Sequence, residues 1–479
     1  MTFMTSQVLS SIHSLAKTQP QKTILTDGRT SLSARNLADS IRAFAKILKA
    51  YTGTCAAIEM ENSIDWVIAD LACIAAQVVS VPLPLFFTAF QRENALSDAG
   101  AQCCISDGLQ VTPLDYPTIL LPEGTAKITY TSGTTGNPKG VCLSQPGMEQ
   151  VAASLFSVIG AAPAIHTAAV LPLGVLLENV AGCYATLLAG GCYDIRSQAD
   201  IGLGVGTRPD CASLVRYLAT SHATSCIVVP EILGGLLSVL TQTDMSLPDM
   251  QFIAVGGSKV SPKLLDQSRR LRLPVYQGYG LSECASVVAV NTPENAVVES
   301  VGKFLPHIDA HIAADGEVCI NHPAFLGYVG DQQGPHSYGT GDLGFIDSKG
   351  FLHITGRKKN VLITASGRNV SPEWPESELL AQSEIAQCLV VGDGSSYLAA
   401  LLVPATEQVN GAMLQDAVDK ANGLLPEYAQ IQKWAMVRPF TMLEGFLTGT
   451  GRPKREAIMQ SYLPLIVSLL KEESCANLF

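Results

Sequence analysis

Residues 128–140, Ile128-Thr-Tyr-Thr-Ser-Gly-Thr-Thr-Gly-Asn-Pro-Lys-Gly140, form the most informative stretch of this chain. Hydroxyl side chains alternate with glycines, and one lysine follows. Glycine lets a backbone approach a ligand and turn its N–H groups toward an anion. The hydroxyls and the ammonium add further donors and one positive charge. These groups are suited to binding a triphosphate, and a predicted strand at 126–130 places the loop at a strand end.

This loop differs from a Walker-type P-loop, which requires G-x-x-x-x-G-K-[ST]. Gly136 is followed by Asn137 and Pro138, and Lys139 is followed by Gly140 instead of a hydroxyl residue. A flexible surface loop is the simpler alternative. The unbroken Thr, Ser and Gly run, closed by Pro-Lys-Gly, argues against it.

Composition indicates a large globular protein. The chain has 479 residues, of which 47% are apolar and 15% charged, so we expect two or more domains with large cores. The net charge of −11 and the lack of an evident basic patch predict that it does not bind nucleic acid. The 13 cysteines show no metal-ligand spacing, and we expect reduced core residues of a cytoplasmic protein.

The sequence gives no indication of a membrane span. The N-terminus lacks the basic region and apolar core of a signal peptide. The longest apolar run, at 175–188, contains Glu178 and Asn179 and is shorter than the roughly 18 residues that a span needs. Mean hydropathy is slightly positive, at +0.25, so a peripheral membrane contact stays open.

Predicted strands and helices alternate along most of the chain. Helices are predicted at 8–16, 32–48, 63–76 and 88–99, and strands at 23–26, 55–58, 78–84 and 102–106. The alternation continues to about residue 276 and indicates α/β layers with parallel sheets. Short antiparallel strands follow from about residue 301, and a second α/β stretch begins after Arg357.

Two later motifs contain residues suited to binding a nucleoside. In Gln277-Gly-Tyr-Gly-Leu-Ser-Glu283, after a predicted strand at 274–276, the ring of Tyr279 can lie on a purine and Glu283 can hold magnesium. In Tyr338-Gly-Thr-Gly-Asp-Leu-Gly344, Asp342 in a glycine-flanked turn can accept both ribose hydroxyls. Taken alone, the first motif is equally typical of an ordinary turn, and the second is more typical of one.

Further motifs are Ala254–Ser258, Ile354-Thr-Gly-Arg357, Ser366–Glu373 and Leu447-Thr-Gly-Thr-Gly-Arg-Pro-Lys-Arg455. Together and in this order, the motifs resemble the signatures of the adenylate-forming superfamily, which includes acyl-CoA synthetases, peptide-synthetase adenylation domains and luciferases. Fatty acyl-CoA synthetases are closest in character. The resemblance implies an α/β fold with a large N-terminal domain (1–357) of layered sheets, flanking helices and a small β-barrel-like subdomain. A small, mobile α+β C-terminal domain (358–479) would follow a hinge at Lys359.

The resemblance also implies ATP and magnesium as cofactors and assigns residues to each site. The nucleotide would be bound by Thr131, Ser132, Gly133, Thr135, Gly136, Gly257, Ser258, Tyr279, Gly280, Ser282, Asp342, Ile354 and Arg357. Catalysis would depend on Arg452, Glu283, Thr134, Lys139 and Lys454, with Glu283 also binding the metal. Gly367, Arg368 and Asn369 would face the thiol acceptor.

The C-terminal motif departs from the family pattern T-x-x-G-K-x-x-R. Thr448, Gly451 and Arg455 keep the register, which puts Arg452 in the position of the family's catalytic lysine. Lys454 lies two residues further on. Both side chains are cations, but a guanidinium is planar and forked whereas an ammonium is a point charge. Either can stabilise charge on a phosphorus centre, so the choice between them stays open.

The predicted function is ATP-dependent ligation of a carboxylic acid to a thiol through an acyl-AMP. The segment at 171–179 resembles the family's L-P-L loop, and the predicted acyl pocket is Gly174, Val175, Glu178, Gly256 and Gly278. Its open, apolar character favours an unsubstituted medium- or long-chain fatty acid over an amino acid or a hydroxybenzoate. Coenzyme A is the expected acceptor, and the phosphopantetheine of a separate acyl carrier protein is the alternative. An adenylation-impaired binding protein, or transfer to an amine or to oxygen chemistry, are the rival functions.

Overall fold

The structure is a computed structural model that describes residues 6–131, 139–204, 209–321, 323–331, 333–365, 367–441, 444–447 and 453–471. It has the predicted large N-terminal α/β domain and a smaller C-terminal domain. In chain order the strands are β1 Thr23–Thr26, β2 Ser31–Ser33, β3 Cys55–Ile58, β4 Val79–Pro82, β5 Ala101–Ser106, β6 Gln110–Pro113, β7 Thr125–Thr131, β8 Lys139–Ser144, β9 His166–Ala168, β10 Cys192–Asp194, β11 Ser225–Val228, β12 Phe252–Val255, β13 Val275–Leu281, β14 Ser286–Val290, β15 Lys303–Phe304, β16 Asp309–Ile312, β17 Glu317–Asn321, β18 Phe325–Tyr328, β19 Ser337–Ile346, β20 Leu352–Arg357, β21 Leu362–Ile363, β22 Asn369–Val370, β23 Ile385–Val391, β24 Leu398–Pro404 and β25 Ile431–Met436.

The helices cover these sheets or lie between them. They are α1 Gln7–Thr18, α2 Ala34–Leu48, α3 Ile64–Ala76, α4 Ala89–Ala99, α5 Gln145–Ile159, α6 Ala185–Leu188, α7 Cys211–Thr220, α8 Pro230–Gln242, α9 Pro262–Arg270, α10 Glu373–Leu380, α11 Gly411–Asn422, α12 Arg455–Ser461 and α13 Leu463–Leu470. A π-helix, Leu177–Tyr184, runs directly into α6. Short 3₁₀ turns include Ser282–Cys284 and Lys358–Asn360.

A mainly parallel sheet and a mixed sheet form the large domain. The first has the order β15-β14-β13-β12-β11-β9-β10-β1-β2, with β9 to β13 and β1 parallel and the outer strands antiparallel. The second has the order β18-β8-β7-β4-β3-β5-β6. Helix α3 is apolar on nearly every face, as expected for a helix covered on all sides, and its Trp66 is buried.

An antiparallel sheet, β16-β17-β19-β20, forms the small β subdomain. Its core joins the end of the first sheet, since Val288 of β14 packs in one cluster with Val318 and Leu352. The C-terminal domain has its own core around β23-β24-β25 and α11. The predicted alternation of α/β layers followed by antiparallel strands is therefore confirmed.

A buried polar network ties β7 to the helices beside it. The Lys127 ammonium on β7 lies 2.8 Å from the Asp70 carboxylate of α3, and both side chains are 1% exposed. Tyr184 donates a 2.6 Å hydrogen bond to Asp70, and Asn179 contacts both charged groups. Burial alone raises the pKa of Asp70, but Lys127 and the hydrogen bonds outweigh it and hold this pKa below its usual value. The strand that leads into the 131–138 loop is thus anchored to the π-helix.

Local conformation differs from the sequence interpretation at several points. The Gly278-Tyr-Gly280 segment, for which an ordinary turn was the alternative, is a strand, because β13 continues through it and pairs with β14. Asp342 does not lie in a turn either, because β19 runs through it and pairs with β20. The apolar segment at 180–188 is helical, but its helix begins as a π-helix at Leu177. Motif glycines, read as turn signals, here occupy strands whose partners pass very close to their backbones, as at Gly280.

The described cysteines are free thiols, and most of them are buried. Burial raises the pKa of Cys55 to about 12, so this thiol stays protonated. Within the described residues, no helix combines the length and the apolar character that crossing a bilayer requires.

Candidate functional site

One cavity of about 1550 Å³ lies where the first sheet, the β subdomain and the C-terminal domain meet. Near one end it is lined by Lys139, Glu283 and Asp342. It continues along the first sheet to Thr167, in the middle of β9, and Ser225, the first residue of β11. The site therefore joins a polar mouth to a long inner passage.

The Glu283 carboxylate is held by two tyrosines that the sequence did not identify as a pair. Tyr328 and Tyr338 each donate a hydrogen bond of 3.0 Å to its Oε1 atom. The Lys139 ammonium lies 5.2 Å from the centre of the Tyr328 ring, in cation–π contact. Burial and the charge of Glu283 raise the pKa of Tyr338, so its hydroxyl keeps its proton as the donor.

Glu283 fits the role predicted for a magnesium ligand. Both tyrosine hydrogen bonds go to Oε1, which leaves Oε2 for a further contact. Magnesium is usually held by one or two carboxylates together with substrate phosphates and waters. No cluster of three acidic, histidine or cysteine side chains able to hold a metal occurs in the described ranges. The chain can thus supply one carboxylate, and a nucleotide would supply the remaining oxygen ligands.

Asp342 lies between two other predicted nucleotide residues. Its carboxylate accepts a 2.7 Å hydrogen bond from the Tyr279 hydroxyl and forms a 2.6 Å ion pair with Arg357. Asp342 and Arg357 are cross-strand neighbours on β19 and β20, which explains the contact. Burial and the nearby carboxylate raise the pKa of Tyr279. Three motifs that are far apart in sequence therefore meet at one carboxylate.

The other predicted nucleotide residues fall into two groups. Lining the cavity are Gly257, Ser258, Gly280, Ser282 and Ile354. Ser132, Gly133, Thr134, Thr135 and Gly136 lie outside the described residues, and of Thr131 only the backbone is described, at the end of β7. Lys139, the first residue of β8, shows where the loop returns to the sheet.

The predicted acyl pocket needs one correction. Gly174, Val175, Gly256 and Gly278 line the cavity as predicted, but Glu178 does not. Its side chain is fully buried in the core. The carboxylate accepts hydrogen bonds from the Tyr193 hydroxyl at 2.6 Å and the Leu171 amide at 2.8 Å. Burial raises the pKa of Glu178 to about 7. Because its carboxylate binds the Leu171 amide from the core side, Glu178 holds the L-P-L loop and does not face a substrate.

A strained residue on the cavity wall was missed by sequence reasoning. Ser286 has a φ of 116°, a conformation that residues other than glycine rarely adopt. It lines the cavity, and its buried hydroxyl has no hydrogen-bond partner among the described residues. Nothing in the local sequence, Cys284-Ala-Ser-Val-Val288, indicates this conformation. Such strain often occurs at binding sites.

The predicted acceptor side is only partly at the cavity. Asn369 and Lys359 line it, whereas Gly367 and Arg368 are exposed and do not. The Arg368 guanidinium instead lies 5.8 Å from the Tyr428 ring centre, on the surface of the C-terminal domain. Lys358, beside the predicted hinge, pairs with Asp315 at 2.5 Å and Glu317 at 2.9 Å.

Of the two candidate catalytic cations, Lys454 lines the cavity and Arg452 lies outside the described residues. Partial burial lowers the pKa of Lys454. The next residue, Arg455, pairs with Glu376 and donates to the Val390 carbonyl, which fixes the start of α12. The motif therefore has a structural anchor immediately beside the side chains in question.

Comparison with known proteins identifies the family. The AMP-binding enzyme family model matches residues 12–120 and 108–329, and the model of the AMP-binding enzyme C-terminal domain matches residues 359–474. An adenylate-forming fold is thereby defined over most of the chain. The protein belongs to the AMP-binding enzyme family, as the motifs predicted.

Curated relatives include ligases for different acids. The chain is 27% identical to the long-chain-fatty-acid–CoA ligase FadD15 of Mycobacterium bovis, over 73% of this chain and 70% of that protein. It is 25% identical to the 2-succinylbenzoate–CoA ligase of Bacillus velezensis, over 79% of this chain and 83% of that protein.

Solved structures share the fold. The anthranilate CoA ligase AuaEII, in complex with anthranoyl-AMP, superposes with a TM-score of 0.83 and 17% identity, over 98% of this chain and 99% of that one. The o-succinylbenzoate CoA synthetase of Bacillus subtilis, bound to its acyl-adenylate, has a TM-score of 0.78 and 22% identity, over 95% and 98%. The fold is that of AMP-forming acyl-CoA synthetases, as predicted.

Proposed function

We propose that this protein activates a medium- or long-chain fatty acid with ATP and transfers the acyl group to coenzyme A. The observation that carries the proposal is the single cavity that connects Glu283 and Asp342 to a passage lined by apolar side chains. These side chains include Leu177, Ala181, Ile227, Phe252 and Val290. A chain of methylene groups would gain burial there at about 25 cal/mol for each Å² of apolar surface.

The first half-reaction would form acyl-AMP. The substrate carboxylate attacks the α-phosphorus of ATP, a phosphorus–oxygen bond breaks, and pyrophosphate leaves. Lys139 would bind phosphate oxygens, and Asp342 would accept hydrogen bonds from the ribose in place of its present contacts with Arg357 or Tyr279. Magnesium on Glu283 would offset the negative charge of the phosphates. Lys454 or Arg452 would stabilise the charge that develops at the reacting phosphorus.

The second half-reaction would transfer the acyl group to sulfur. The thiolate attacks the acyl carbon, the bond to the phosphate oxygen breaks, and AMP leaves. The two steps need different groups at the same carbonyl, so we propose that the domain at 358–479 rotates on the domain at 1–357 about Lys359. The C-terminal family match from residue 359 supports this boundary. Gly367 has a φ of 74°, and apart from its chain neighbours no atom of the described residues lies within 4 Å of an added Cβ, which would leave room for a pantetheine arm on that domain.

The decisive experiment is pyrophosphate release, measured with a panel of saturated fatty acids, benzoates and amino acids. We expect release with the fatty acids and formation of acyl-CoA when coenzyme A is added. A preference for benzoates or amino acids would contradict the proposed substrate. Acyl transfer to a phosphopantetheinylated carrier protein but not to coenzyme A would identify the alternative acceptor.

Paired variants decide which cation acts. Arg452→Ala is expected to reduce acyl-AMP formation by several orders of magnitude, on the scale of about 3–4 kcal/mol for removing one charge-stabilising donor. Lys454→Ala should have a milder effect, and the reverse order of effects would make Lys454 the catalytic cation. Lys420→Ala, which removes an exposed lysine paired only with Asp416, is the control. No acyl-AMP from the wild type with any acid would favour the binding-protein alternative.

A further inference from the structure

Three hydroxyl groups meet at the far end of the cavity. They belong to Thr167 on β9, Thr186 on α6 and Ser225 on β11, and all three residues line the passage. Thr186 donates a 2.7 Å hydrogen bond to Thr167, whose oxygen lies 2.9 Å from that of Ser225. Their relative exposures are 4%, 2% and 8%, so bulk water has little access to them.

The hydroxyl cluster of Thr167, Thr186 and Ser225 is remote from the reacting end of a bound acid. Ser225 begins β11, whereas Gly256, which faces Gly278, follows the end of the parallel neighbour β12. Ser225 and Val228 are three residues apart on an extended strand, which corresponds to roughly 10 Å. The cluster therefore lies about one strand length deeper than the glycines of the predicted pocket.

The cluster has more hydrogen-bonding capacity than it uses. Three hydroxyls carry three O–H donors and six acceptor lone pairs. Two hydrogen bonds link them, and neither Thr186 nor Ser225 makes a further side-chain hydrogen bond with the described residues. One O–H donor is thus left for a ligand. In a passage that is otherwise mostly apolar, leaving a buried donor unused costs about 1–3 kcal/mol.

We propose that the acyl substrate carries an oxygen function near the end remote from its carboxylate, and that the hydroxyl cluster binds it. This inference rests on the proposed function and makes the substrate class an oxygenated fatty acid. A distal hydroxyl matches the cluster in full, because it can accept the unused proton and donate to a lone pair. A distal ketone matches only the acceptor half.

The test compares acids that differ only at the distal end. For each chain length, kcat/KM for pyrophosphate release is measured with the saturated acid, its terminal hydroxy derivative and the ketone one carbon from the end. At the length that reaches the cluster, we expect the hydroxy acid to be preferred by about tenfold or more, the equivalent of one hydrogen bond of about 1.4 kcal/mol. Equal or better use of the saturated acid at every length would overturn the inference.

Variants separate recognition from a merely structural role. Thr167→Val keeps the shape but removes the central hydroxyl, so the preference for the hydroxy acid should disappear while saturated acids are used as well or better. Ser225→Ala should reduce the preference and is available if Thr167→Val does not fold. The control is Thr224→Val, because Thr224 is buried and hydrogen-bonded to Pro163 but does not line the cavity. It should affect all acids alike. A preference that survives in both Thr167→Val and Ser225→Ala would refute the assignment.

Binding measurements keep this inference distinguishable from the ligase proposal. Affinities of the hydroxy acid and the saturated acid are obtained by competition against a fluorescent fatty acid, with no need for turnover. If no acid releases pyrophosphate but the hydroxy acid still binds more tightly, the ligase proposal fails and the distal recognition stands. If acids are turned over without any distal preference, the opposite holds.

Discussion

Replacement of Glu178 by Gln should stabilise the large domain at alkaline pH and leave its stability unchanged at acidic pH. Glu178 is fully buried behind the L-P-L loop, and burial raises its pKa to about 7 from a usual value of 4.5. A glutamine reproduces the shape and hydrogen bonding of the protonated acid. Its oxygen can accept from the Leu171 and Val170 amides, and its NH₂ group can donate to the Tyr193 oxygen.

The size and sign of this effect follow from the two pKa values of Glu178. Below about pH 4.5 the side chain is protonated in both the folded and the unfolded chain, so it contributes no difference. As the pH rises toward 7, the unfolded chain releases this proton while the folded chain retains it, and the folded state loses stability. Above about pH 7 the loss levels off. The interval from 4.5 to about 7 corresponds to about 3 kcal/mol.

The assay is urea denaturation at about pH 5 and about pH 8.5, with tryptophan fluorescence as the signal. The chain has three tryptophans, and Trp66 is the one in the large domain, packed in α3. Replacing Trp374 and Trp434 by Phe in every protein restricts the signal to that domain. We expect Glu178→Gln to exceed its parent by about 2–3 kcal/mol at the higher pH and by less than about 1 kcal/mol at the lower one.

The matched control is Glu123→Gln, which removes a carboxylate from an exposed position. It should show little difference from the parent at either pH. A stability gain for Glu178→Gln that is the same at both pH values, or a loss that grows with pH, would refute the reasoning. Either result would mean that the buried carboxylate is already charged and well solvated by its partners.

Three further predictions concern the proposed reaction. Asp342→Ala should weaken ATP binding by roughly 10- to 100-fold in calorimetry, the effect of losing hydrogen bonds to a charged group, and unchanged affinity would remove Asp342 from the site. Lys359→Pro should impair thioester formation more than pyrophosphate release, because proline fixes φ and restricts its predecessor, and equal loss of both activities would argue against a hinge there. Gly278→Trp should shift the preferred acyl chain to shorter lengths in pyrophosphate release, and an unchanged preference would mean that the chain does not pass Gly278.

The sequence predicts this fold largely because several motifs occur in a fixed order. Alternating apolar patterns are also sufficient to predict the α/β layers. Local conformation around the motifs was predicted less well. Asp342 was assigned to a glycine-flanked turn, yet it lies in β19, because β20 pairs with this segment and holds it extended. The local sequence of a segment does not specify which strand will pair with that segment.

Glu178 shows a second limit of sequence reasoning. Glu178 was assigned to the acyl pocket because the segment at 171–179 resembles the L-P-L loop, but it lies in a π-helix that begins at Leu177. Hydrogen bonds from residue i to i+5 change the side-chain register relative to an α-helix, and the resemblance carries no information about that register. A π-helix has no sequence signature comparable to a cap or a turn, so the orientation of Glu178 could not be predicted.

The hydroxyl cluster could not be predicted from the sequence, because the order of the strands brings its residues together. Thr167 and Ser225 are paired residues of the neighbouring parallel strands β9 and β11, and Thr186 comes from α6, which lies between these strands in the chain. Each residue is unremarkable in its own segment, and only the strand order β11-β9-β10 brings the first two together. The sequence therefore favoured an unsubstituted fatty acid, because Thr167 and Ser225, on which the proposal of an oxygenated acid rests, are 58 positions apart.

The π-helix at Leu177–Tyr184 contacts the buried carboxylate of Asp70 and contains that of Glu178, and the pKa values of these two groups are shifted in opposite directions. Asn179 and Tyr184 bind the Lys127–Asp70 pair, which anchors β7, the strand before the predicted phosphate-binding segment. Lys127 keeps the pKa of Asp70 low, so this anchor stays charged throughout the neutral range. Glu178, on the same helix, has hydrogen-bond donors but no cationic partner among the described residues, and its pKa lies near 7. A change of pH around neutrality should consequently change the charge of Glu178 behind the L-P-L loop and leave the charge of Asp70 beside β7 unaltered.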